Sequence, residues 1–340
     1  MSNILFVGEL PPPYGGVAVK DKLIYETVFR ELGTEMIDLV ECKRSPVKLP
    51  GIFLKIIQGM IQKKKIIIGV GTPERRKILL QMQGFFGGKK GLRNVHLLGM
   101  GGRMHEVDTQ DAKMRKLMRQ VGSIWLEADE MIAAMKKLDI NNTHLFPNCR
   151  VDDYSLPPTN HGTEKLKLVY FSRICSEKGV DIIINAADYL PTSCTLDFYG
   201  EISKEYKEIF CNFLKYHHEI TYHGVFDATS RNVYQELNQY DVMLLPSRWK
   251  GEGVPGALVE SKMAGITAIV SDWNFNKEIV IDGIEGIVLK ELQTDSLVQE
   301  IKRLNSNPDL LMDLKQGAYK SRYRYNIETY KYELQQMVLK

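Results

Sequence analysis

The chain has 340 residues, 44% of them hydrophobic, and its 45 Lys and Arg against 42 Asp and Glu give a formal net charge of +3. This length is too great for one small core and indicates about two domains, and the composition excludes a disordered or low-complexity chain. The charge is unevenly distributed, because residues 1–150 hold 24 basic and 15 acidic side chains whereas residues 151–340 hold 21 and 27.

Cysteine usage and the amino terminus bear on the cellular compartment. The five cysteines are odd in number and scattered, without a Cys-x-x-Cys pair, which argues against a disulfide framework and a zinc site. The chain enters a predicted strand directly after Met-Ser-Asn, so no signal peptide is expected, and no run reaches the roughly 18 apolar residues of a membrane span. We therefore expect a cytoplasmic protein, either soluble or peripheral on a membrane.

Strand-like and helix-like segments alternate through the first half of the chain. Short apolar runs are separated by helical patterns, which predicts a doubly wound parallel sheet and a first domain at 1–150. The predicted strands are Ile4–Gly8, Met36–Val40, Ile66–Val70, Val95–Leu98, Ser123–Leu126 and His144–Pro147.

A polar, proline-bearing stretch at 151–165 is the predicted linker, and the same alternation begins again after it. The second domain is predicted at 166–320, and the terminal stretch from Thr294 onward is helical by pattern. The predicted strands are Leu168–Phe171, Thr195–Tyr199, Ile220–His223, Val242–Pro246, Ala268–Val270 and Gly286–Leu289.

The opening strand runs into paired glycines, Gly15 and Gly16, after which a helix is predicted. Glycines at a helix start let the backbone approach a phosphate group closely. The turn lacks the Gly-x-Gly-x-x-Gly spacing of dinucleotide-binding folds and the lysine of a P-loop, and a plain tight turn is the alternative interpretation.

Two cations, Arg173 and Lys178, follow the first strand of the second domain. At a strand's carboxyl end they could converge on one diphosphate, Arg173 in bidentate fashion and Lys178 as a point charge. The alternative is that either is an ordinary surface charge. Two further strands end at Gly200 and His223, and the loops after them could frame a nucleobase through main-chain hydrogen bonds.

Two glutamates eight positions apart, Glu252 and Glu260, flank a strand-to-helix loop. Parallel α/β sheets bind ligands at this kind of loop, and the helix predicted from near Pro255 would direct its free N–H groups towards a diphosphate. Each carboxylate can accept two hydroxyl groups, so one could hold a hexose and the other a ribose. The alternative interpretation is a loop charge and a solvated helix residue.

Taken together, these motifs resemble those of glycosyltransferase family 4, in that family's order and over nearly the whole chain. The motifs are Pro-Pro-Pro-Tyr-Gly-Gly-Val-Ala at 11–18, Pro-Asn at 147–148, Ser-Arg-x4-Lys-Gly at 172–179, Tyr-Gly-Glu at 199–201, Leu-Pro-Ser at 245–247 and Glu-Gly-x-Pro at 252–255 with its second glutamate.

The resemblance implies an α/β GT-B fold, in which two Rossmann-like domains face each other across a cleft. The amino-terminal domain would bind the acceptor, the carboxy-terminal domain the nucleotide sugar, and a helix within 321–340 would cross back to the first domain. The implied activity is metal-independent, retaining transfer of a hexose, with a UDP-sugar favoured, to a glycan of a cell-surface polysaccharide. No cofactor is expected, since the nucleotide sugar is the substrate and UDP the product.

The resemblance also assigns roles to residues. Arg173 and Lys178 would bind the diphosphate, Glu252 would contact the transferred sugar, and Glu260 would contact the ribose. Gly15 and Gly16 would close over the phosphates. The other donor-binding candidates are Gly200, Glu201, Val225, Gly253, Val254, Pro255 and Gly256.

One departure from the family pattern lies in the first domain, where Met100 stands in place of a histidine that often precedes a glycine pair. His96 and His105 are substitutes by proximity in sequence only, and a structural role is the favoured interpretation for each. Arg103 and His105 are the acceptor-side candidates. The departure keeps a second hypothesis open, a non-catalytic GT-B subunit that binds an acceptor or stabilises another transferase.

Residues 51–100 carry ten Lys and Arg against the single acid Glu74, interleaved with apolar residues. Such a stretch suits an anionic membrane surface, and we hypothesise a peripheral enzyme acting on a lipid-linked glycan. A solvated helix face is the alternative, and nucleic acid is not an expected partner because no recognition motif accompanies the charge.

Overall fold

The computed structural model describes residues 3–12, 15–160, 165–228 and 230–340, without the side chains of Cys42, Lys43, Pro46 and Lys89. The chain forms two compact units: unit 1 comprises Met1–Arg150 and Asn326–Lys340, and unit 2 comprises Val151–Tyr325. Within the described ranges, no helix combines the length and the apolar character that a bilayer span needs.

Unit 1 is built on a parallel sheet. Its strands are β1 (Ile4–Gly8), β2 (Glu35–Asp38), β3 (Lys65–Ile68), β4 (Val95–Leu98), β5 (Ser123–Leu126) and β6 (Thr143–Leu145). Their spatial order is β2-β1-β3-β4-β5-β6, so the direction of winding reverses between β1 and β3. Loops that leave β1 and β3 therefore diverge at the carboxyl edge.

Helices connect these strands, as a parallel sheet requires. They are α1 (Gly16–Ile24), α2 (Val40–Arg44), α3 (Leu49–Ile61), α4 (Pro73–Phe86), α5 (Gly88–Leu92), α6 (Met104–Gln110), α7 (Ala112–Met118) and α8 (Asp129–Lys136). A π-helical segment, Tyr25–Phe29, and a 3₁₀ turn, Arg30–Leu32, extend α1.

Unit 2 repeats this architecture. Its strands are β7 (Leu166–Phe171), β8 (Cys194–Tyr199), β9 (Thr221–Tyr222), β10 (Val242–Leu245), β11 (Thr267–Ser271) and β12 (Gly286–Leu289). The spatial order is β12-β11-β10-β7-β8-β9 and every pairing is parallel. The chain winds outward from β7 to β9, returns to the other side of β7 and winds outward again, so the reversal lies between β7 and β10.

The helices of unit 2 precede and follow these strands in the same alternating way. They are α9 (Val180–Ala186), α10 (Lys207–Tyr216), α11 (Val233–Leu237), α12 (Gly256–Met263), α13 (Asn276–Ile279), α14 (Thr294–Asn305) and α15 (Pro308–Ser321). The short turns Ser176–Lys178, Ala187–Tyr189, Lys204–Tyr206 and Arg322–Tyr325 are of the 3₁₀ type.

Both faces of the second sheet are buried. In β10, Val242 and Leu244 belong to one apolar cluster whereas Met243 and Leu245 belong to another, since successive side chains of a strand point to opposite faces. A strand buried on both faces reads as a continuous apolar run rather than an alternating one. This is the pattern by which the sequence predicted the strand.

A final helix, α16 (Ile327–Leu339), packs on unit 1. Its Gln335 Nε2 donates to the carbonyl of Val28 at 2.9 Å, and the ring of Tyr330 lies 5.6 Å from that of Phe146. The boundary falls after residue 325, five residues later than predicted, because Arg322 and Arg324 bond to acids of unit 2, Asp152 and Glu285.

The strand predictions agree closely with the structure. Each predicted strand overlaps an observed one, and the bounds differ by at most two residues. The predicted linker has no helix or strand through residue 160, and it packs on unit 2, where the amide of Leu156 donates to the carbonyl of Met263 at 2.7 Å. Residues 161–164 of that segment lie outside the described residues.

A buried ion pair joins α4 to α6 in unit 1. Arg76 Nε and Nη2 donate to the two carboxylate oxygens of Asp108 at 2.7 and 2.6 Å, and both side chains are excluded from solvent. We expect Arg76→Met to lower the free energy of unfolding of unit 1 by about 3–5 kcal/mol, because Asp108 would remain buried without its partner. Urea titration measures this change.

The double variant Arg76→Met/Asp108→Leu is the control, and we expect it to recover most of the lost stability because neither charge remains. Equal destabilisation in the single and double variants would contradict this account of the pair.

Candidate active site

The loops that follow β7 and β10 leave adjacent strands at the same edge of the second sheet. They meet at Gly179, whose φ is +74°. No other residue fits at this position, because a Cβ atom there would lie 2.0 Å from the carbonyl oxygen of Pro246. The amide of Arg248 also donates to the carbonyl of Glu177 at 2.8 Å. This contact fixes the two loops against each other.

The loops bring Lys178 and Glu252 into an ion pair. Lys178 Nζ lies 2.5 Å from Glu252 Oε2, and the hydroxyl of Ser247 donates to the same oxygen at 2.9 Å. Glu252 is only 5% exposed, and Lys178 Nζ lies 4.7 Å from the ring centroid of Trp249. A cation and a carboxylate are therefore held together in a largely desolvated position.

Arg173 lies in the same loop as Lys178 but is exposed. The pKa of its guanidinium is raised, first by Cys175 and then by the negative charges of Glu177 and Glu201. The predicted cation pair is therefore split: Lys178 is paired with the buried Glu252 and its side chain is only 13% exposed, whereas Arg173 faces solvent within the electrostatic influence of Glu201.

The second predicted glutamate, Glu260, lies on α12, which begins at Gly256 directly after Pro255. Glu260 is partly exposed and shares its helix face with Gly256 and Ala257, whereas Leu258, Val259 and the residues that follow Glu260 are buried. The face of α12 that carries Glu260 is thus its most solvent-exposed face.

The other donor-binding candidates occupy the same edge in different ways. Gly200 has φ +141°, and a Cβ there would lie 1.9 Å from the carbonyl of Ser172, so the β8 loop touches the β7 loop. Glu201 and Val225 are exposed, and Gly253 and Gly256 are partly exposed. Val254 and Pro255 are buried, which leaves their main chain as the group they can offer.

A polar aromatic network at the ends of β8 and β9 was not predicted. His223 Nε2 and the Tyr240 hydroxyl each lie 2.8 Å from Asp197 Oδ2, and the His223 ring stacks on Tyr199 at 4.5 Å. The Tyr199 hydroxyl donates to Glu236, and burial raises the pKa of Tyr199 to about 12. Tyr199 and His223 both end predicted strands, but nothing in the sequence connects them to Glu236 or Tyr240.

In unit 1, Gly15 precedes α1 and Gly16 is its first residue, and both are exposed. A Cβ at either position would meet no atom of the described residues within 4 Å, so the backbone there is open to approach. Pro13 and Tyr14 of the same motif lie outside the described residues.

Two buried charged residues directly after this turn, Lys20 and Asp21, were also not predicted. Lys20 Nζ lies 2.7 Å from Glu127 Oε1 and donates to the carbonyl of Gly99 at 3.1 Å. Asp21 accepts from the amide of Glu9 at 2.8 Å, and burial raises its pKa well above the usual range. These contacts organise the carboxyl edge of the first sheet.

The acceptor-side candidates lie on or next to α6. Arg103 is exposed and bonds to Glu106 with an Nε–Oε2 distance of 3.2 Å, and His105 is partly buried, which lowers its pKa. Met100 is buried just past the end of β4. His96 lies near the opposite end of that strand, so it does not substitute for a histidine at position 100.

Among the residues with described side chains, no cluster of three His, Cys, Asp or Glu side chains has the geometry of a metal site.

Comparisons with known proteins identify the relatives of this chain. The model of the family described as glycosyl transferases group 1 matches residues 155–321, which confirms the glycosyltransferase resemblance for this part of the chain. An uncharacterised glycosyltransferase of Methanocaldococcus jannaschii, MJ1069, is 27% identical over 152 residues, which cover 43% of this chain and 38% of the relative. The Vi polysaccharide biosynthesis protein VipC/TviE of Salmonella typhi is 35% identical over 75 residues, or 22% and 13% of the two chains.

The matched segments therefore span well under half the length of either curated relative. The crystal structure of Anabaena HepE in complex with UDP superposes over 99% of both chains with a TM-score of 0.75 at 13% identity. That likeness, together with the two doubly wound parallel sheets, confirms the predicted GT-B fold.

The buried histidine of β4 gives a pH-dependent prediction. His96 Nδ1 lies 2.8 Å from the Ser123 hydroxyl, and burial lowers the pKa of His96 from 6.5 to about 4. Between those values the unfolded chain binds a proton that the folded chain does not, so stability falls as the pH drops from 6.5 to 4. The loss contributed by His96 should approach about 3 kcal/mol near pH 4.

Urea titrations of the wild type and of His96→Asn at pH 7 and pH 4.5 measure this contribution. His96→Asn should lose less stability than the wild type between the two pH values. His218→Asn, which removes an exposed histidine, is the control and should show the same pH dependence as the wild type. An unaltered pH dependence in His96→Asn would contradict the assignment.

Proposed function

We propose that this chain, whose residues 155–321 match the glycosyl transferases group 1 family, is a retaining hexosyltransferase that uses a nucleotide sugar. The observation that carries the proposal is the largely solvent-shielded Lys178–Glu252 pair at the reversal point of the second sheet. Open α/β sheets bind ligands at such a point. The pair provides a cation for a diphosphate and a carboxylate for sugar hydroxyls in one place.

In the proposed reaction the bond between the anomeric carbon and the diphosphate oxygen breaks, and both electrons remain on that oxygen. Lys178 and Arg173 stabilise the negative charge that develops on the departing nucleoside diphosphate. The amino end of α12, with its free N–H groups and positive dipole end, contributes in the same sense. Because these groups supply the charge, the proposed reaction uses no metal ion.

Retention is proposed to follow from attack on the face that the leaving group vacates. The acceptor hydroxyl oxygen bonds to the anomeric carbon while its proton passes to the departing diphosphate oxygen. A double displacement would instead need a carboxylate free to bond that carbon. The contacts of Glu252 Oε2 with Lys178 and Ser247 favour the front-face route, with Glu252 binding a sugar hydroxyl.

The remaining donor contacts of unit 2 are proposed from their place at the same sheet edge: Glu260 would bind the ribose, and the loops with Gly200, Glu201 and Val225 would border the base. The role of the exposed turn of Gly15 and Gly16, which would cover the phosphates, is proposed from the family resemblance alone. UDP is the favoured nucleotide, since HepE has been crystallised with UDP and with UDP-glucose. The likeness to a Vi polysaccharide biosynthesis protein supports a polysaccharide pathway.

A donor screen tests this function. Thermal shifts with UDP-, GDP- and ADP-sugars should identify one stabilising nucleotide, with UDP expected, and Lys178→Ala should abolish the shift and lower turnover or donor hydrolysis at least about 100-fold. Lys250→Ala, which removes an exposed lysine of the neighbouring loop, should retain both properties.

If none of the UDP-, GDP- and ADP-sugars stabilises the wild type, the proposal is wrong. Equal absence of turnover in the wild type and Lys178→Ala, with tight binding to another protein, would support the alternative of a non-catalytic GT-B subunit, for which buried Met100 is the specific observation.

For the acceptor, we propose a lipid-linked glycan at the inner face of the cell membrane. Unit 1 has an apolar groove of about 360 Å³ between α3 and α4, bordered by exposed Leu49, Phe53 and Ile78, with Arg75 at its margin. Clustered exposed apolar side chains mark an interaction surface, and apolar side chains that enter the bilayer interface strengthen membrane binding in proportion to the area they bury.

Fewer unpaired basic side chains lie around this groove than the sequence alone indicates. Arg76 is buried against Asp108, Lys55 and Lys64 share Glu35, and Lys77 pairs with Asp111. We therefore propose that apolar insertion contributes more to membrane binding than charge does, and that binding persists in part at high salt.

Flotation with vesicles of phosphatidylglycerol and phosphatidylethanolamine tests this surface. The wild type should float at low salt, and Phe53→Glu/Ile78→Glu should not, because both changes place charge in the groove. Tyr189→Glu/Tyr216→Glu, which adds the same charge at exposed positions of unit 2, should float like the wild type. A wild type that stays unbound at low salt removes the membrane proposal.

A further inference from the structure

The loop that carries Glu252 is held by a side chain from another loop. Asn274, which follows β11, directs its Nδ2 towards three backbone carbonyls, those of Trp249, Lys250 and Glu252, at 3.2, 3.3 and 3.1 Å. The indole N–H of Trp273 donates to the carbonyl of Trp249 at 3.0 Å. Two consecutive residues thus bind the main chain on both sides of Gly251.

The backbone at Asn274 is in the left-handed region, with φ +46°. Few residues other than glycine adopt this conformation, and asparagine tolerates it better than most. Such conformations persist where the surrounding contacts demand them, and they concentrate at functional sites. Here the left-handed conformation accompanies the convergence of three carbonyls on one amide.

These carbonyls belong to the turn that presents Glu252 and Trp249 to Lys178. The amide of Glu252 donates to the carbonyl of Trp249 at 3.0 Å, so the turn is closed on itself as well as tied to Asn274. Trp249 is 41% exposed, and its ring is in cation–π contact with Lys178. A shift of this turn would move both partners of Lys178 together.

We propose that Asn274 is a positioning residue for the donor site, holding the Glu252 turn so that the carboxylate of Glu252 and the ring of Trp249 orient Lys178 towards a diphosphate. This inference rests on the proposed nucleotide-sugar function. The amide of Asn274 acts through the main chain and does not itself contact the donor.

The experiment uses the full chain and UDP as the probe. Asn274→Ala removes the side-chain amide. Asn274→Gly also removes it but makes the left-handed backbone conformation easier to adopt, so this variant distinguishes the effect of the lost amide from an effect of the backbone conformation. Isothermal titration should give a Kd for UDP about tenfold weaker in both variants, as expected for the loss of roughly one hydrogen-bonded constraint.

Tryptophan emission provides an independent measurement. The chain has three tryptophans, and two of them, Trp249 and Trp273, lie in this contact. Both Asn274 variants should shift the emission maximum to longer wavelength because Trp249 becomes more solvated. Thermal unfolding of Asn274→Gly should remain within a few degrees of the wild type.

Asn238→Ala is the matched control. Asn238 Nδ2 also bridges two carbonyls of unit 2, those of Pro157 and Ala264, but it does so away from the Glu252 turn. This variant should lose stability without a change in UDP affinity or emission. If Asn274 had a purely structural role, its variants would likewise lose stability without a change in UDP affinity or tryptophan emission.

Two negative outcomes are distinguishable. If the wild type binds UDP and Asn274→Gly binds it equally well, the positioning role is wrong while the proposed function stands. If the wild type binds none of UDP, GDP and ADP, the proposed function and the inference fail together.

Discussion

The reversal of winding between β7 and β10 is the constraint on which the candidate site depends. Because the chain leaves these adjacent strands in opposite directions, their loops diverge and leave room at the sheet edge for a ligand. Gly179 lets the loops touch at one point, against the carbonyl of Pro246, and Lys178 and Glu252 meet beside that point. A larger residue at Gly179 would displace both loops.

The chemistry of the site follows from how little solvent reaches it. An exposed lysine–glutamate pair contributes little to stability. The pair of Lys178 and Glu252 is shielded by the ring of Trp249 and hydrogen-bonded to Ser247, so separating the two charges costs more free energy. In the proposed function, a diphosphate that approaches Lys178 must offer comparable charge. The side chains of Ser247 and Trp249 fix the pair from the β10 loop, and Asn274 fixes that loop from the next strand along the sheet.

Most of the fold could be predicted from the sequence, and the reason is local. A strand buried on both faces, such as Val242–Leu245, is an apolar run bounded by polar residues, and Pro255 with the glycines around it marks the start of α12. The pairings could not be predicted in the same way. Lys20 with Glu127, Arg76 with Asp108 and Tyr199 with Glu236 join residues far apart in sequence, and no spacing rule connects them.

By itself the sequence determined where the strands form, that helical segments alternate with them, which residue types end each strand, and the family resemblance of residues 172–179 and 252–260. Only the tertiary structure decided that Lys178 is paired with Glu252 and largely shielded from solvent while Arg173 is exposed, and that Asn274 binds the Glu252 turn. Local patterns fix local conformation, but burial and charge pairing depend on which strands become neighbours, and that is settled when the sheet assembles.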